Sequence, residues 1–313
     1  MADTLAPMPA RHDDSPLPTL DALSLTGEPL VLRDGPDALV VHDPAAGRVL
    51  HLPKHDAALA AHERRVQILP YLRGHLSAAI PQPQPHSLPS ASRGAFESHW
   101  LPGSAFAPAL ISERSEARLA KTLAQFLVEL HAYPAQRAQA LGAIGPRDWR
   151  VMLDGLRRRS TTALRPQLGI TRAARLRRWW QAFLDAMGTD GAGDFQPAPT
   201  HGNLAPEHLL VDDEARGLEA VLGWNRLAVT DPALDLAAVS EQYGANFAWL
   251  VTEAYQQAGG VIDVAFLNRA RRHAGILPFL DWDRSRAPGQ PASPPETARL
   301  LERLLAGPIS DPR

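Results

Sequence analysis

The chain of 313 residues contains no cysteine, which excludes disulfide bonds and cysteine-based metal sites. Its formal net charge of −2 gives no polycationic signature of a nucleic-acid-binding protein. No apolar run approaches the ~18 residues of a membrane span, and Met1 to Pro18 lacks the apolar core of a signal peptide. These absences favour a cytoplasmic protein without nucleic-acid or membrane partners.

Two catalytic signatures are also missing. The sequence has neither the His-Glu-x-x-His pattern of metalloprotease helices nor the Gly-x-Ser-x-Gly turn of serine hydrolases. A metal-dependent hydrolase built on His201 and His208 is therefore a weak alternative. The length is sufficient for a sizeable core and about two lobes.

Short apolar runs separated by turn signals dominate the first third of the chain. They predict three antiparallel strands over Leu30–Arg33, Ala38–His42 and Arg48–Leu52. A helix over Asp56–Leu69, capped by Asp56, should follow, with Glu63 on its apolar face, where a carboxylate needs a cation or a water-filled cleft. A loop over Pro81–Pro89 and a strand over Ala95–Trp100 complete the predicted small lobe.

The pattern becomes helical from Glu113 onward, beginning with an apolar stripe from Leu119 to Leu130. The further predicted helices cover Asp148–Arg159, Thr171–Met187, Pro232–Tyr243, Phe247–Ala258, Val264–His273 and Glu296–Leu305. Taken together, these patterns divide the chain into a flexible tail (1–20), a β-rich lobe (21–102), a helical lobe (103–285) and a linker with a last helix (286–313).

A polar cluster lies directly before a predicted strand pair in the larger lobe. His201, Asn203 and His208 precede the apolar run Leu209–Val211, and a second run, Ala220–Leu222, follows a polar turn. Polar residues at strand ends lie in loops, where they can meet a ligand. This stretch is therefore the candidate functional centre.

Four motifs in this region resemble the aminoglycoside/macrolide phosphotransferase family. They are His201-Gly202-Asn203-Leu204, His208, Leu222-Gly223-Trp224 and Asp231-Pro232-Ala233-Leu234-Asp235-Leu236-Ala237. The macrolide branch is the most similar, because it also has histidine at the position of His208. The resemblance implies an α+β, bilobal, protein-kinase-like fold and phosphoryl transfer from ATP or GTP, with magnesium, to a small-molecule hydroxyl.

The resemblance also assigns roles within these motifs. Asn203 stands where the family has its catalytic aspartate, and His201 is expected to bond within the catalytic loop. The metal site falls at His208 and Gly223, where glycine replaces an aspartate. We therefore expect impaired or lost catalysis, because a carboxamide is not a base and glycine offers no side-chain ligand. The alternatives are an active kinase with a non-standard metal site and a nucleotide- or ligand-binding module.

The same resemblance implies a nucleotide site in the small lobe, although its phosphate-covering turn has no glycine-rich repeat. His51 stands at the position of the family's phosphate-binding basic residue, with Lys54 as a nearby substitute. Glu63 matches the helix glutamate that pairs with this basic residue. The segment containing Trp100, Leu101 and Gly103 resembles the hinge that meets the nucleotide base.

Aromatic residues in the larger lobe suggest the substrate class. A flat apolar pocket would suit a macrolide-like, hydrophobic, hydroxylated ligand. The alternative is that these side chains simply belong to the core. The residues concerned are Tyr243, Phe247, Trp249, Tyr255 and Trp282.

Overall fold

The computed structural model describes residues 23, 25–87, 94–106, 113–191, 193–212, 217–284 and 294–306. The strands are β1 (Leu30–Asp34), β2 (Ala38–Asp43), β3 (Arg48–Pro53), β4 (Gln84–His86), β5 (Ala95–His99), β6 (Ser104–Ala105), β7 (Ala198–Thr200), β8 (Leu209–Val211), β9 (Leu218–Val221) and β10 (Ala228–Thr230). The helices are α1 (Asp56–Arg73), α2 (Glu113–Ala132), α3 (Ala135–Ala140), α4 (Pro146–Ala186), α5 (Ala233–Tyr243), α6 (Ala245–Gln257), α7 (Phe266–Ala274), α8 (Leu277–Arg284) and α9 (Pro294–Ala306).

The first part of the chain forms an antiparallel sheet in the order β1-β2-β3-β5-β4. The three strands predicted first are confirmed. Leu50 and Leu52 of β3 pack with Val41 and Leu23 in a small core. Because side chains alternate along a strand, His51 lies on the opposite face, toward α1.

Helix α1 and strand β4 correct two sequence predictions. His55, rather than Asp56, caps α1, because its Nδ1 accepts the backbone N–H of Ala58 at 3.1 Å. The predicted loop over Pro81–Pro89 contains β4 at the edge of the sheet. Pro85 is compatible with an edge strand, because an edge strand does not need every N–H for pairing.

The larger lobe is built mostly from helices. The apolar stripe on α2 is confirmed, since Leu119, Phe126 and Leu130 are fully buried. The two helices predicted over Asp148–Arg159 and Thr171–Met187 form one long element, α4, which kinks at Gly169, where φ is +66°. Helix α8 was not predicted from the sequence.

The chain ends only partly fall within the described residues. The predicted tail over 1–20 and most of the linker that begins at Arg286 lie outside them. Helix α9 confirms the predicted last helix. In the part of the chain that the structure describes, no helix has the length and apolar character to span a membrane.

Two small strand pairs bring the candidate loops together. β7 pairs with β10, and β8 pairs with β9. The loop from β7 to β8 (201–208) therefore lies beside the loop from β9 to β10 (222–227). We call the first the catalytic-position loop and the second the glycine loop.

Candidate functional site

A buried carboxylate holds the start of the catalytic-position loop. Asp235, in the first turn of α5, accepts the backbone N–H of His201 at 2.9 Å and that of Gly202 at 2.7 Å. It also accepts Nε2–H of His131 at 3.2 Å. Burial raises the pKa of the Asp235 carboxyl, but these hydrogen bonds outweigh burial and leave the pKa below its ordinary value. Asp235 is therefore a structural anchor of the loop.

His201 links the two loops from within. Its Nε2–H donates to the carbonyl of Leu222 at 2.8 Å, while its Nδ1 accepts the backbone N–H of Asn203 at 3.2 Å. The ring is fully buried, and burial lowers its pKa to about 4. The imidazole is consequently neutral at pH 7, with a fixed tautomer that shapes the loop.

Asp231, at the start of the same family motif, also has a structural role. It caps α5 by accepting the backbone N–H of Ala233 at 3.1 Å. Its other oxygen accepts Nε–H of Arg269 at 2.8 Å and Nε2–H of His273 at 2.9 Å. These bonds satisfy a fully buried carboxylate away from the two loops.

Asn203 occupies the position of the expected catalytic base. Its side chain is buried, and its amide donates to Oδ1 of Asn225 at 3.0 Å and to the carbonyl of Gly223 at 3.4 Å. A carboxamide cannot remove a hydroxyl proton at neutral pH. The arrangement can fix the loops and orient a ligand, but it supplies no general base.

His208 and Gly223 form the position of the expected metal site. Gly223 is left-handed, with φ of 81°, and a Cβ built on it would lie 2.5 Å from Nδ1 of His208. Nδ1–H of His208 donates to the carbonyl of Asn203 at 2.8 Å. The imidazole thus fills the space that a side chain at position 223 would need.

These residues do not fit a magnesium ion. Magnesium prefers hard, usually anionic oxygen ligands, whereas this position offers an amide, a backbone and an imidazole. Among the residues that the structure describes, no group of three or more histidine, aspartate or glutamate side chains is placed to hold a metal.

A polar cavity of about 180 Å³ opens beside Asn203. Arg226 crosses its wall, donating to Oδ1 of Asp281 at 2.9 Å and to the carbonyl of Gly202 at 3.4 Å. The polar side chains that line the cavity are Asn203, Glu207, Arg226, Gln242, Asp281 and Arg284. Such a lining suits a hydroxylated ligand that can both donate and accept hydrogen bonds.

The aromatic pocket expected in the larger lobe is not formed. Phe247, Tyr255 and Trp282 are buried core residues, and Tyr243 packs against Phe106 at a ring-centroid distance of 4.7 Å. Trp249 is exposed, and none of the five aromatics, all of them described, lines the cavity beside Asn203. The prediction of an apolar aromatic site is wrong, and the alternative of a core role holds for all but Trp249.

In the small lobe, His51 faces another histidine rather than a glutamate. Its ring centroid lies 5.3 Å from that of His62 on α1. Burial, and then the nearby positive charge of Arg65, lower the pKa of His51 to about 3. His51 is therefore neutral at pH 7 and cannot supply a charge to a phosphate.

Lys54 and Glu63 do not form the expected pair. Lys54 Nζ donates to Asp34 at 2.5 Å. Glu63 is on the exposed face of α1, and it forms no ion pair with His51 or Lys54, although the structure describes all three residues. The predicted pairing is therefore wrong, because α1 turns His62 rather than Glu63 toward the sheet.

The predicted hinge follows β5. Trp100 is exposed and stacks on His42 at a ring-centroid distance of 4.0 Å, while its backbone N–H donates to Gly47 at 2.8 Å. Leu101 is half-buried, and Gly103 is exposed, with a positive φ of 118°, directly before β6. A contact between this segment and a nucleotide base stays a prediction.

Sequence reasoning missed Arg65, Arg226 and Arg284. Their only sequence signal was charge within or beside a helix or turn, which is also typical of solvent-exposed residues. Long-range packing places Arg226 and Arg284 in the wall of the cavity beside Asn203, and Arg65 between α1 and the glycine loop.

A small antiparallel sheet with one helix, a larger helical lobe and a His-Gly-x-Leu loop define the kinase-like phosphotransferases. The chain belongs to the phosphotransferase enzyme family (APH), which matches residues 26–275. A solved structure of APH(2")-IIia with GDP and kanamycin is 20% identical, with a TM-score of 0.73 over 92% of this chain and 94% of that chain.

Two further relatives extend the comparison. Macrolide 2'-phosphotransferase MphH from Brachybacterium faecium is 27% identical, with a TM-score of 0.58 over 78% of this chain and 81% of that one. The uncharacterized protein YcbJ of Bacillus subtilis is 31% identical over 144 residues, which are 45% of this chain and 44% of YcbJ. The match therefore spans less than half of this curated relative.

Proposed function

We propose that this protein binds a nucleoside triphosphate between its sheet and the catalytic-position loop, and a hydroxylated small molecule in the polar cavity. Phosphoryl transfer between the two is impaired or lost. The protein would then act chiefly by binding, as a ligand or nucleotide sensor derived from a phosphotransferase. The binding site is retained while the groups needed for chemistry are replaced.

One observation carries the loss of chemistry. The imidazole of His208 fills the volume that a side chain at position 223 would need. The side-chain amide of Asn203 donates hydrogen bonds to Asn225 and Gly223. Phosphoryl transfer depends on positioned metal ions and an oriented nucleophile. This arrangement offers neither a base nor an anionic metal ligand.

The relatives support nucleotide and small-molecule binding. APH(2")-IIia is described in complex with GDP and kanamycin, which pairs a nucleotide with a hydroxylated compound on this fold. The similarity to MphH keeps macrolides among the candidates. The charged wall of the cavity, with Glu207, Asp281 and Arg284, favours a ligand more polar than the macrolide-like compound expected from the aromatic residues.

A thermal-shift experiment separates binding from metal dependence. The protein is melted with ATP, GTP or neither, in the presence of magnesium or EDTA. A ligand that binds only the native state raises the melting temperature. We expect at least one nucleotide to stabilise the protein equally with magnesium and with EDTA, because the described residues build no magnesium site.

A transfer assay tests the loss of catalysis. The protein is incubated with ATP or GTP, magnesium and a panel of aminoglycosides and macrolides, and phosphorylated product is measured by mass spectrometry. We expect nucleotide and small-molecule binding without efficient turnover. Efficient magnesium-dependent product formation would instead support an active kinase with a non-standard metal site.

A further inference from the structure

The inner face of the small lobe carries three basic residues, and the carboxylate of Asp37 exerts an electrostatic attraction on one of them, Arg65. His51 on β3 faces His62 on α1, and Arg65 follows His62 by three positions, which places it on the same face of the helix. The half-buried Arg65 donates from Nε to the carbonyl of Ala61 at 3.2 Å. In the part of the chain that the structure describes, it forms no ion pair.

Arg65 also lies against the glycine loop. It lines a small cavity of about 20 Å³ with Trp224 and Asn225. Asn225 in turn accepts a hydrogen bond from the amide of Asn203. Arg65 is therefore placed where the small lobe meets the glycine loop, which is itself hydrogen-bonded to Asn203.

Arg65 is the remaining positive charge among these three residues. Burial lowers the pKa of His62 to about 2, so that His62, like His51, is neutral at pH 7. Burial, followed by repulsion from Arg64, lowers the pKa of Arg65 only to about 10, which leaves its guanidinium charged.

A partly buried cation that forms no ion pair is costly to a folded protein, so Arg65 points to an anionic partner. A guanidinium presents a planar fork of donors that matches phosphate oxygens. The phosphate chain of a nucleotide is a polyanion, and His208 and Gly223 offer no anionic ligand for a metal that would neutralise it. Lys54 already contacts Asp34 and therefore does not provide an equivalent free charge.

We propose that Arg65, on the helix, binds the phosphate chain of the nucleotide in place of the strand residue His51. This role rests on the proposed function, since it requires nucleotide binding. If this role is correct, Arg65 makes the protein bind a nucleotide more tightly than the corresponding uncharged nucleoside, even without a metal ion.

The test compares Arg65→Gln with the wild type in EDTA. Calorimetry measures the affinities for ATP and GTP and for the uncharged nucleosides adenosine and guanosine. The preference of the wild type for a nucleotide over its nucleoside should fall by about 10- to 100-fold in the variant, as expected for a lost hydrogen-bonded charge contact. The affinity of the variant for the nucleosides should be unchanged. Its melting temperature without ligand should be unchanged or higher than that of the wild type.

Two further variants control for charge and folding. Arg73→Gln removes the same charge from an exposed position of α1, about 12 Å further along the helix, and should keep the full preference. Arg65→Lys retains a charge but not the planar fork, and should keep part of the preference.

The outcomes separate this role from the proposed function. A wild-type protein that binds no nucleotide overturns the proposed function and this role with it. A wild type that binds nucleotides, with an equal preference in Arg65→Gln, overturns the role of Arg65 alone. If both Arg65 variants fail to fold while Arg73→Gln folds, Arg65 supports the structure rather than a ligand, and the role is likewise overturned.

Discussion

The imidazole of His208 stands where a side chain on residue 223 would lie, with a Cβ-to-Nδ1 distance of 2.5 Å for a Cβ built on Gly223. Gly223 also has a left-handed backbone, with φ of 81°. The two residues are therefore coupled, because the ring of one requires the absence of a side chain on the other. We therefore expect that changing residue 223 alone will not restore the metal position.

The first prediction concerns stability. Gly223→Ala should lower the free energy of unfolding by about 3 kcal/mol, because it combines left-handed strain with overpacking against the ring. In a His208→Ala background, the same change should cost only about 1 kcal/mol, since the strain remains while the clash is gone. Urea unfolding of the wild type, both single variants and the double variant gives the coupling free energy.

Gly47 supplies a matched control for this cycle. Its φ is 60°, and a Cβ built on it meets nothing within 4 Å. Gly47→Ala should therefore cost about 1 kcal/mol in either background. Equal costs for Gly223→Ala with and without the His208 ring would contradict the coupling.

The second prediction concerns the proposed loss of catalysis. The double change Asn203→Asp with Gly223→Asp should fail to create a metal site, because the ring of His208 still fills the position. Adding His208→Asn frees this volume and provides an oxygen ligand of the kind that magnesium accepts. The triple variant should show magnesium-dependent nucleotide stabilisation in a thermal-shift assay, and a restored base should raise any transfer rate by about 10²–10⁴-fold.

The control for this restoration is the double variant Gly223→Asp with His208→Asn, in which Asn203 is retained. It tests the metal position without the base, and it should bind magnesium more weakly than the full set. If the triple variant folds and magnesium does not change its stabilisation by nucleotide, the metal position has been placed wrongly.

The strands and the catalytic-position loop could be predicted because their signals are local. Turn residues separate the first three strands, and the order of His201, Asn203 and Gly223 is a specific motif. The family match and the kinase-like fold confirm this level of inference. The lobe boundary near residue 102 and the nucleotide-base contact remain predictions.

The orientation of α1 could not be predicted correctly from the same kind of pattern. The sequence ends the helix at Leu69, because proline ordinarily breaks a helix, yet α1 continues through Pro70 to Arg73. Its burial is concentrated at Ile68, Leu69 and Leu72, which turns Glu63 outward and His62 inward. The apolar periodicity of α1 is too weak to predict which face of the helix is buried, and packing in the folded protein determines it.

The coupling of His208 to Gly223 was also beyond the sequence. The motif shows that an aspartate is missing, but it does not show which neighbour occupies the space. Strands β8 and β9 and the segment that joins them separate the two residues along the chain, and the pairing of β8 with β9 brings them together. The same limit applies to Arg226 and Arg284, whose helices and loops meet only in the folded lobe.

The third prediction tests the anchor of the catalytic-position loop. Asp235→Asn should lower the free energy of unfolding by about 3 kcal/mol, because an amide cannot accept all the hydrogen bonds that the buried carboxylate receives from His201, Gly202 and His131. Urea unfolding measures this change. Asp185→Asn, at an exposed position, is the control and should change stability by no more than about 0.5 kcal/mol. Equal effects of the two changes would contradict the anchoring role.

The fourth prediction concerns pH. His51, His62 and His201 have folded-state pKa values lowered from 6.5 to about 3, about 2 and about 4, in each case first by burial. Their unfolded forms bind protons below about pH 6.5, while the folded forms stay neutral. The stabilising effect of the three neutral histidines is therefore complete above this pH. As pH decreases from 6.5 to 5, the free energy of unfolding should fall by about 1.4 kcal/mol per pH unit for each histidine.

Urea unfolding of His62→Gln over the same pH range isolates one of these histidines. His62 is buried, and its Nε2 has no hydrogen-bond partner among the described residues, so a proton there would be poorly stabilised in the folded protein. The variant should lose about one proton of uptake on unfolding, which reduces the slope of stability against pH by about 1.4 kcal/mol per unit. The control His75→Gln changes an exposed histidine and should leave the slope near that of the wild type. An unchanged slope in His62→Gln would mean that the folded protein already binds a proton at His62. Burial would then not keep the imidazole of His62 neutral, and the prediction would be wrong.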